Sequence, residues 1–443
     1  MENDQSKIYF IGIGGIGVSA LARYYLGEGW QVYGTDLAES EITESLKKAG
    51  AEFYKKAPDL GTIKPDLLVY SPAVGNGHPE LKQARDLGIE CLSYPEALGK
   101  LSDKYFTIAV CGTHGKSTTT AMIAGVLVAA GFDPTVVVGT KLKEFDNTNF
   151  RRGRSQYLVI EACEHLGSFL NYWPKVIVLT NIEADHLDYY QNEDNYRRAF
   201  YEFVNHLDGS GILVANSDDK NTRELVKQVE AKGFKIVDFK FEGPETKKLE
   251  AVLQVPGKHN IYNALAALFA AHTLGIGEDI SLKALGRYQG AWRRFEIDEI
   301  SIENKRVTLV SDYGHHPTEV RATLEAARQR WPERKITAIF QPHQYQRTFY
   351  LFDDFAKVLR EAPVDRIIVA DIYGVAGREE KGLNEKVSSH SLAEAAGKKS
   401  VFYVERPALS DWILKNIEAD EVLVIMGAGD IYGLSESLIK KNV

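Results

Sequence analysis

Cysteine is scarce in this chain. Cys91, Cys111 and Cys163 are the only three in 443 residues, an odd number without metal-ligand spacing, which excludes a disulfide framework and predicts a reducing compartment. An excess of basic charge is also missing: the net charge is -8 and Lys and Arg are dispersed, so nucleic acid and anionic membranes are excluded as general partners. Any anion must therefore be bound locally. There is no low-complexity tract and no short-period repeat. The apolar stretch at 8–25 is broken by glycines and Arg23 and preceded by Glu2 and Asp4, which argues against a signal peptide and against membrane insertion. The expected location is cytoplasmic.

What is present is a chain 44% hydrophobic and 26% charged, long enough for about three domains. Strand-like and helix-like stretches alternate throughout, the pattern of α/β domains with mostly parallel sheets. Strands are predicted at 7–13, 30–35, 67–74 and 89–93, with a helix at 15–26. A second series follows at 105–111, 158–162, 176–181 and 212–216, and a third at 307–311, 336–340, 366–370 and 422–426. The predicted division is 1–102, 103–294 and 295–443: a Rossmann-like domain, a central P-loop ATPase-like parallel or mixed sheet, and a second Rossmann-like domain.

Two glycine-rich turns carry the chemistry. Gly112-Thr113-His114-Gly115-Lys116-Ser117-Thr118 follows a strand and opens a helix. Its glycines let backbone N–H groups converge on phosphate oxygens, Lys116 supplies a point charge and the Ser117 hydroxyl can ligate Mg²⁺. The loop is shorter than the usual Gly-x4-Gly-Lys-Ser/Thr, but it points to ATP. Gly12-Ile13-Gly14-Gly15-Ile16-Gly17 is the second turn, with Asp36 about twenty residues on, a fingerprint for a dinucleotide or a nucleotide diphosphate. One chain with both turns implies two nucleotides, one as energy source and one as handle. Beyond the ATP loop, Glu161-Ala162-Cys163-Glu164 and the segment from Thr180 to Asp188, containing Asp185 and His186, fall at predicted strand ends. Parallel strands gather their carboxyl ends on one edge, so both segments are expected beside the phosphates, offering carboxylates and His186 to divalent cations, with Asp185 and Asp188 as supporting groups rather than ligands.

With Gly257-Lys258-His259-Asn260-Ile261-Tyr262-Asn263, Arg293-Arg294-Phe295-Glu296, Asp312-Tyr313-Gly314-His315-His316-Pro317 and Phe340-Gln341-Pro342-His343, these motifs resemble the Mur ligases in order and over essentially the whole chain, most closely the alanine-adding branch. The resemblance implies that the three domains bind a UDP-sugar, ATP and an amino acid. It also implies amide formation through an acyl phosphate, joining L-alanine to UDP-N-acetylmuramate for peptidoglycan. Carried over residue by residue, Lys116, Glu161, His186, Arg294 and His316 are the catalytic set. ATP would be held by residues 112–118, that is Gly112, Thr113, His114, Gly115, Lys116, Ser117 and Thr118, with Asn260, Asn263, Arg294 and Asp312. The UDP-sugar would use Gly12, Gly14, Gly15, Ile16, Gly17, Asp36 and Ser71, and the amino acid Tyr313, His316, His343 and Arg347. Ser117, Glu161 and His186 would hold two Mg²⁺ ions, with Mn²⁺ as a substitute, and the protein is expected as a monomer or homodimer.

Three departures from the family pattern stand out. Cys163 occupies the place of an acid, His165-Leu166 replaces Ser-Asp, and Gln344 stands where some members have arginine, leaving Arg347 for the alanine carboxylate. Phe200 sits where several siblings place a lysine that becomes carbamylated, so no carbamylated lysine is expected. Competing readings are a ligase that recycles a tripeptide onto the same sugar, a folylpolyglutamate synthetase, an NAD-dependent dehydrogenase and a non-catalytic sugar-nucleotide sensor. The dehydrogenase leaves Lys116, Ser117, Glu161 and His186 unexplained.

Overall fold

A computed structural model describes residues 5–375, 379–380 and 382–440. The chain divides into two compact units, Met1–Val252 with Tyr262–Tyr288, and Leu253–Ile261 with Gln289–Val443.

The first unit holds two sheets. One has five parallel strands in the order Glu52–Tyr54, Gln31–Thr35, Lys7–Ile11, Leu67–Tyr70, Glu90–Ser93. The other has seven, in the order Lys235–Phe239, Ile212–Asn216, Val176–Leu179, Phe106–Cys111, Tyr157–Glu161, Thr135–Leu142, Thr148–Arg151, and only the last pair is antiparallel. In each sheet the strand preceding a glycine turn, Lys7–Ile11 or Phe106–Cys111, has neighbours on both sides, so each turn emerges inside the sheet rather than at an edge. That is where open α/β sheets bind ligands. Ile108, Ala109, Val110 and Cys111 are all 0% exposed, the continuous apolar run expected of a strand covered on both faces. The two sheets share one core: Val18 and Leu21 of helix Ile16–Gly27 lie in the same buried cluster as Val137, Phe150 and Phe203. Tyr24 meets Phe150 edge-on at 6.5 Å, and Asn149 donates to the Ile16 carbonyl.

The second unit is a six-stranded sheet in the order Glu296–Ile302, Lys305–Asp312, Val422–Met426, Ile336–Phe340, Arg366–Val369, Val401–Tyr403. All pairs are parallel except the opening hairpin. Separate apolar clusters cover its faces, one around Phe340, Phe355 and Leu359, the other around Ile339, Ile368 and Leu423.

The α/β class is as the sequence implied, but several strand ends differ. The strand predicted at 7–13 stops at Ile11 because Gly12 turns to φ +79°, and the one predicted at 67–74 stops at Tyr70. The predicted strands omitted Glu52–Tyr54, Thr135–Leu142, Thr148–Arg151, Lys235–Phe239, Glu296–Ile302 and Val401–Tyr403. Five of these six are outermost in their sheets, where one flank is unpaired and polar residues are tolerated.

Candidate active site

The first glycine turn is built by backbone bonds. Gly12 and Ile13 N–H donate to the Thr35 carbonyl at 2.9 and 3.0 Å, and Gly14 N–H donates to Asp36 Oδ2 at 2.8 Å. Asp36 Oδ1 accepts from Leu37 N–H at 2.7 Å, so both oxygens of this expected UDP-sugar contact already accept from backbone N–H groups. A Cβ at Gly14 would stand 2.9 Å from Asp36 Oδ2, and one at Gly17 would stand 2.7 Å from the Tyr94 ring. Gly15 caps the helix that begins at Ile16, and Ser71 follows the neighbouring strand with its Cβ 3.0 Å from where a Gly12 Cβ would lie. Below the turn, buried Glu80 accepts from Tyr9 Oη at 2.5 Å and Thr35 Oγ1 at 2.8 Å. Burial, with that bond, raises the Tyr9 phenol well above its ordinary value.

The second turn is tighter. Gly112 has φ +134° and Gly115 φ +80°. Added Cβ atoms would stand 2.1 Å from Thr180 Oγ1 and 2.2 Å from Asn263 Oδ1, so only glycine fits at either position. Thr113 Oγ1 donates to the Glu183 carbonyl at 2.7 Å and accepts from Glu183 N–H at 2.8 Å. His114 N–H donates to Asn181 Oδ1 at 2.9 Å, and its Nε2 is 2.9 Å from Glu183 Oε2. Ser117 and Thr118 begin the helix Lys116–Ala129 and are buried. Asn263 Oδ1 accepts from Thr119 Oγ1 at 3.3 Å, so this expected ATP contact lies against the turn. Asn260 donates to the Pro256 carbonyl at 2.7 Å within the second unit.

Lys116 is held by four oxygens: Gly112 O at 2.7 Å, Thr113 O at 2.9 Å, and Glu164 Oε1 and Oε2 at 3.1 and 2.9 Å. The Glu164 side chain is 1% exposed. Burial would lower the Lys116 ammonium, but Glu164, Cys163 and Glu161 together hold it above the ordinary lysine value. Burial raises the Glu164 carboxyl, against the pull of Lys116. The sequence places Glu164 among the metal-capable acids at this strand end, but its pairing with Lys116 emerges only in the structure. The signal was the second acid in Glu161-Ala162-Cys163-Glu164, and its meaning depends on left-handed Leu166 and Gly167, where the chain turns just beyond it. Burial pushes the Cys163 thiol up to about 12, so it is no nucleophile at neutral pH.

Glu161 ends its strand opposite Val110 and accepts from Gly139 N–H at 2.7 Å. His186 Nε2 is 3.9 Å from Glu164 and 3.8 Å from Asp185, and its ring meets His165 edge-on at 4.7 Å. Phe200 is fully buried against Phe169 and Tyr196. The expected donors Ser117, Glu161 and His186 offer a hydroxyl, a carboxylate and an imidazole, a set that fits a divalent cation beside phosphates.

In the second unit, Asp312 ends its strand and accepts from Phe295 N–H, Gly314 N–H and Thr323 Oγ1 at 2.8, 2.7 and 3.1 Å. Burial raises its carboxyl, with Arg294 opposing. The Arg294 guanidinium lies 5.1 Å over the Tyr313 ring and 3.9 Å from Glu319. Tyr313, His315, His343 and Arg347 come together: His315 meets Tyr313 and His343 at 5.3 and 5.8 Å, and Arg347 Nη1 is 3.2 Å from His343 Nδ1. Arg347 is 7% exposed. His316, preferred to His315 by sequence, is 3% exposed and caps the helix Pro317–Arg330, its Nδ1 accepting from Thr318 N–H at 3.3 Å. Gln344 is buried with φ +70°.

A glycine turn followed by Lys116 and Ser117, beside carboxylates and an imidazole, is an arrangement that suits an enzyme handling nucleotide phosphates. Family models agree and go further: "Mur ligase family, catalytic domain" matches residues 7–106, "Mur ligase middle domain" 110–271 and "Mur ligase, glutamate ligase domain" 293–429. The chain belongs to the Mur ligase family, whose members are ATP-dependent ligases that generally use Mg²⁺. A protein of Caldanaerobacter subterraneus named UDP-N-acetylmuramate–L-alanine ligase is 37% identical, covering 100% of both chains. One of the same name from Aquifex aeolicus is also 37% identical, covering 98% of this chain and 97% of its own. The solved UDP-N-acetylmuramate-alanine ligase of Thermotoga maritima aligns with a TM-score of 0.78 at 28% identity, covering 98% of each chain. A murein peptide ligase of Psychrobacter arcticus shares the fold, with a TM-score of 0.70 at 22% identity and 98% coverage of each. Among the described residues no helix is long and apolar enough to cross a membrane.

Proposed function

We propose that this protein joins L-alanine to the lactyl carboxylate of UDP-N-acetylmuramate, with ATP cleaved to ADP and phosphate, in the synthesis of peptidoglycan precursors. The reading rests on full-length likeness to ligases of that name at 37% identity. Residues 1–102 take the UDP-sugar, 103–294 the ATP and 295–443 the amino acid. A lactyl carboxylate oxygen attacks the γ-phosphorus, the bond to the β-bridging oxygen breaks and ADP leaves. The alanine amine then attacks the acyl carbon, loses a proton and expels phosphate.

The first step brings an anion against a triphosphate, so cancellation of charge dominates the barrier. Lys116, together with the N–H groups at the start of its helix, meets the phosphates; Glu164 holds the ammonium at that position beforehand. Ser117, Glu161 and His186 would hold two Mg²⁺ ions, or Mn²⁺ in their place, which supply further positive charge to the transferring oxygens. Asn260, Asn263, Arg294 and Asp312 complete the nucleotide set, and Arg347 with His343 receives the amino acid. Gly12, Gly14, Gly15, Ile16 and Gly17 with Asp36 and Ser71 receive the UDP-sugar. Calorimetry tests the handle directly: UDP-N-acetylmuramate binds and NAD does not, whereas binding of NAD alone would revive a dehydrogenase.

A further inference from the structure

Arg294 is flanked by two residues in left-handed backbone conformation, Arg293 at φ +57° and Phe295 at φ +53°. Neither is glycine or asparagine, so both conformations are unfavourable and must be imposed by their surroundings. The constraints are visible. Tyr313 N–H donates to the Arg293 carbonyl at 2.7 Å, Arg294 N–H to the Ala291 carbonyl at 2.9 Å, and Phe295 N–H to Asp312 Oδ2 at 2.8 Å. Phe295 is 7% exposed and stacks on Trp331.

The Arg293 side chain is the unusual member. It is 8% exposed, yet no carboxylate pairs with it among the described residues. Its guanidinium sits 4.8 Å from the Tyr313 ring, 4.7 Å from Tyr432 and 5.6 Å from Trp292, and Nη2 donates to the Gly427 carbonyl at 2.6 Å. A buried cation held by ring faces and one carbonyl is a poor device for stability alone, since an apolar side chain of similar volume would fill the cage without desolvating a charge. Its geometry, however, ties residue 293 to Gly427, just past the strand Val422–Met426, and to Tyr432 in the helix Tyr432–Lys440. The adjacent Arg294 side chain keeps 31% exposure and lies 5.1 Å from the centroid of the same Tyr313 ring.

We propose that Arg293 is a positioning residue that fixes the backbone at 293–295 so that Arg294 is presented to the nucleotide phosphates. The proposal rests on the assignment of Arg294 to ATP binding given above. Arg293 touches no reactant; it acts through Arg294.

The test uses the full chain in four variants, Arg293→Met, Arg293→Lys, Tyr432→Leu and Arg294→Lys, with KM for each substrate, kcat and thermal melting measured. Arg293→Met raises KM for ATP about tenfold or more and leaves KM for L-alanine and for the UDP-sugar within about twofold, with melting little changed. Arg293→Lys, which keeps the charge in the cage, falls between Met and the native residue. Tyr432→Leu removes one wall of the cage and raises KM for ATP in the same direction, which decides the matter if Arg293→Met fails to fold. Native ATP kinetics in Arg293→Met or Tyr432→Leu, while Arg294→Lys is impaired, overturns the positioning role and leaves the ATP assignment standing. If Arg294→Lys is itself silent toward ATP, the assignment of Arg294 fails and the proposal falls with it.

Discussion

Replacing Lys116 by methionine separates the structural from the chemical work of the phosphate turn. The side chains of Lys116 and Glu164 are 12% and 1% exposed and lie 2.9 Å apart, so removal of the ammonium leaves a carboxylate buried without its counter-charge. Breaking such a pair from one side costs about 3–5 kcal/mol. Burial already raises the Glu164 carboxyl, and loss of Lys116 raises it further, so uptake of a proton limits the penalty to roughly 3 kcal/mol near neutral pH. The sign of the pH dependence follows. A carboxyl whose folded pKa exceeds its unfolded value binds a proton that the unfolded chain releases, so its contribution is present at low pH and is lost as pH rises through the folded pKa. Lys116→Met is therefore close to native stability in mild acid and falls behind as pH rises. Lys116→Met combined with Glu164→Gln regains most of the loss and has no such slope. Urea unfolding across pH measures both, and amide synthesis is lost by about a hundredfold or more in each, because neither has a cation at position 116. UDP-sugar affinity is kept. A single variant that unfolds at the native urea concentration at every pH would refute the buried pair, and a double variant that regains activity would refute the phosphate role of Lys116.

Arg347→Lys impairs use of L-alanine far more than binding of ATP, since an ammonium cannot reproduce the two-pronged fit of guanidinium to carboxylate; steady-state kinetics with each substrate varied will separate the two. His186→Asn, chosen because asparagine tolerates the φ +52° found there, weakens activity in a way that high Mg²⁺ partly restores, with ATP affinity little changed. Loss of ATP affinity without rescue by metal would remove His186 from the cation set.

The strands that position the site were legible because they are central. Ile336–Phe340 and Val422–Met426 are covered on both faces, so every residue is buried and the apolar run has sharp ends. Edge strands were hidden by their own solvation: in Glu296–Ile302 three acids and a serine are interspersed among three isoleucines, and Ile297 is 39% exposed. The two glycine turns were legible because residue type alone dictates them, as φ +80° at Gly115 and the 2.2 Å approach of Asn263 illustrate. Pairings across long sequence distance were not. Glu164 reaches Lys116 across 48 residues, and Glu80 reaches Tyr9 across 71, through loops whose left-handed residues leave no periodic trace. The cage around Arg293 draws on Trp292, Tyr313, Gly427 and Tyr432, four positions that no local pattern connects.

The most direct test is phosphate release from ATP in the presence of Mg²⁺ and UDP-N-acetylmuramate, with a panel of amino acids and the tripeptide offered in turn. Release is expected to depend on both the UDP-sugar and L-alanine, with the amide product formed in step with phosphate. Glycine, which lacks the methyl group, and serine, which adds a hydroxyl, are slower but still used, since a methyl group discriminates by only about 1–3 kcal/mol and a hydrophobic pocket rejects an added hydroxyl only weakly. Efficient turnover with the tripeptide but not with L-alanine would contradict the proposed function, as would phosphate release that is indifferent to the sugar.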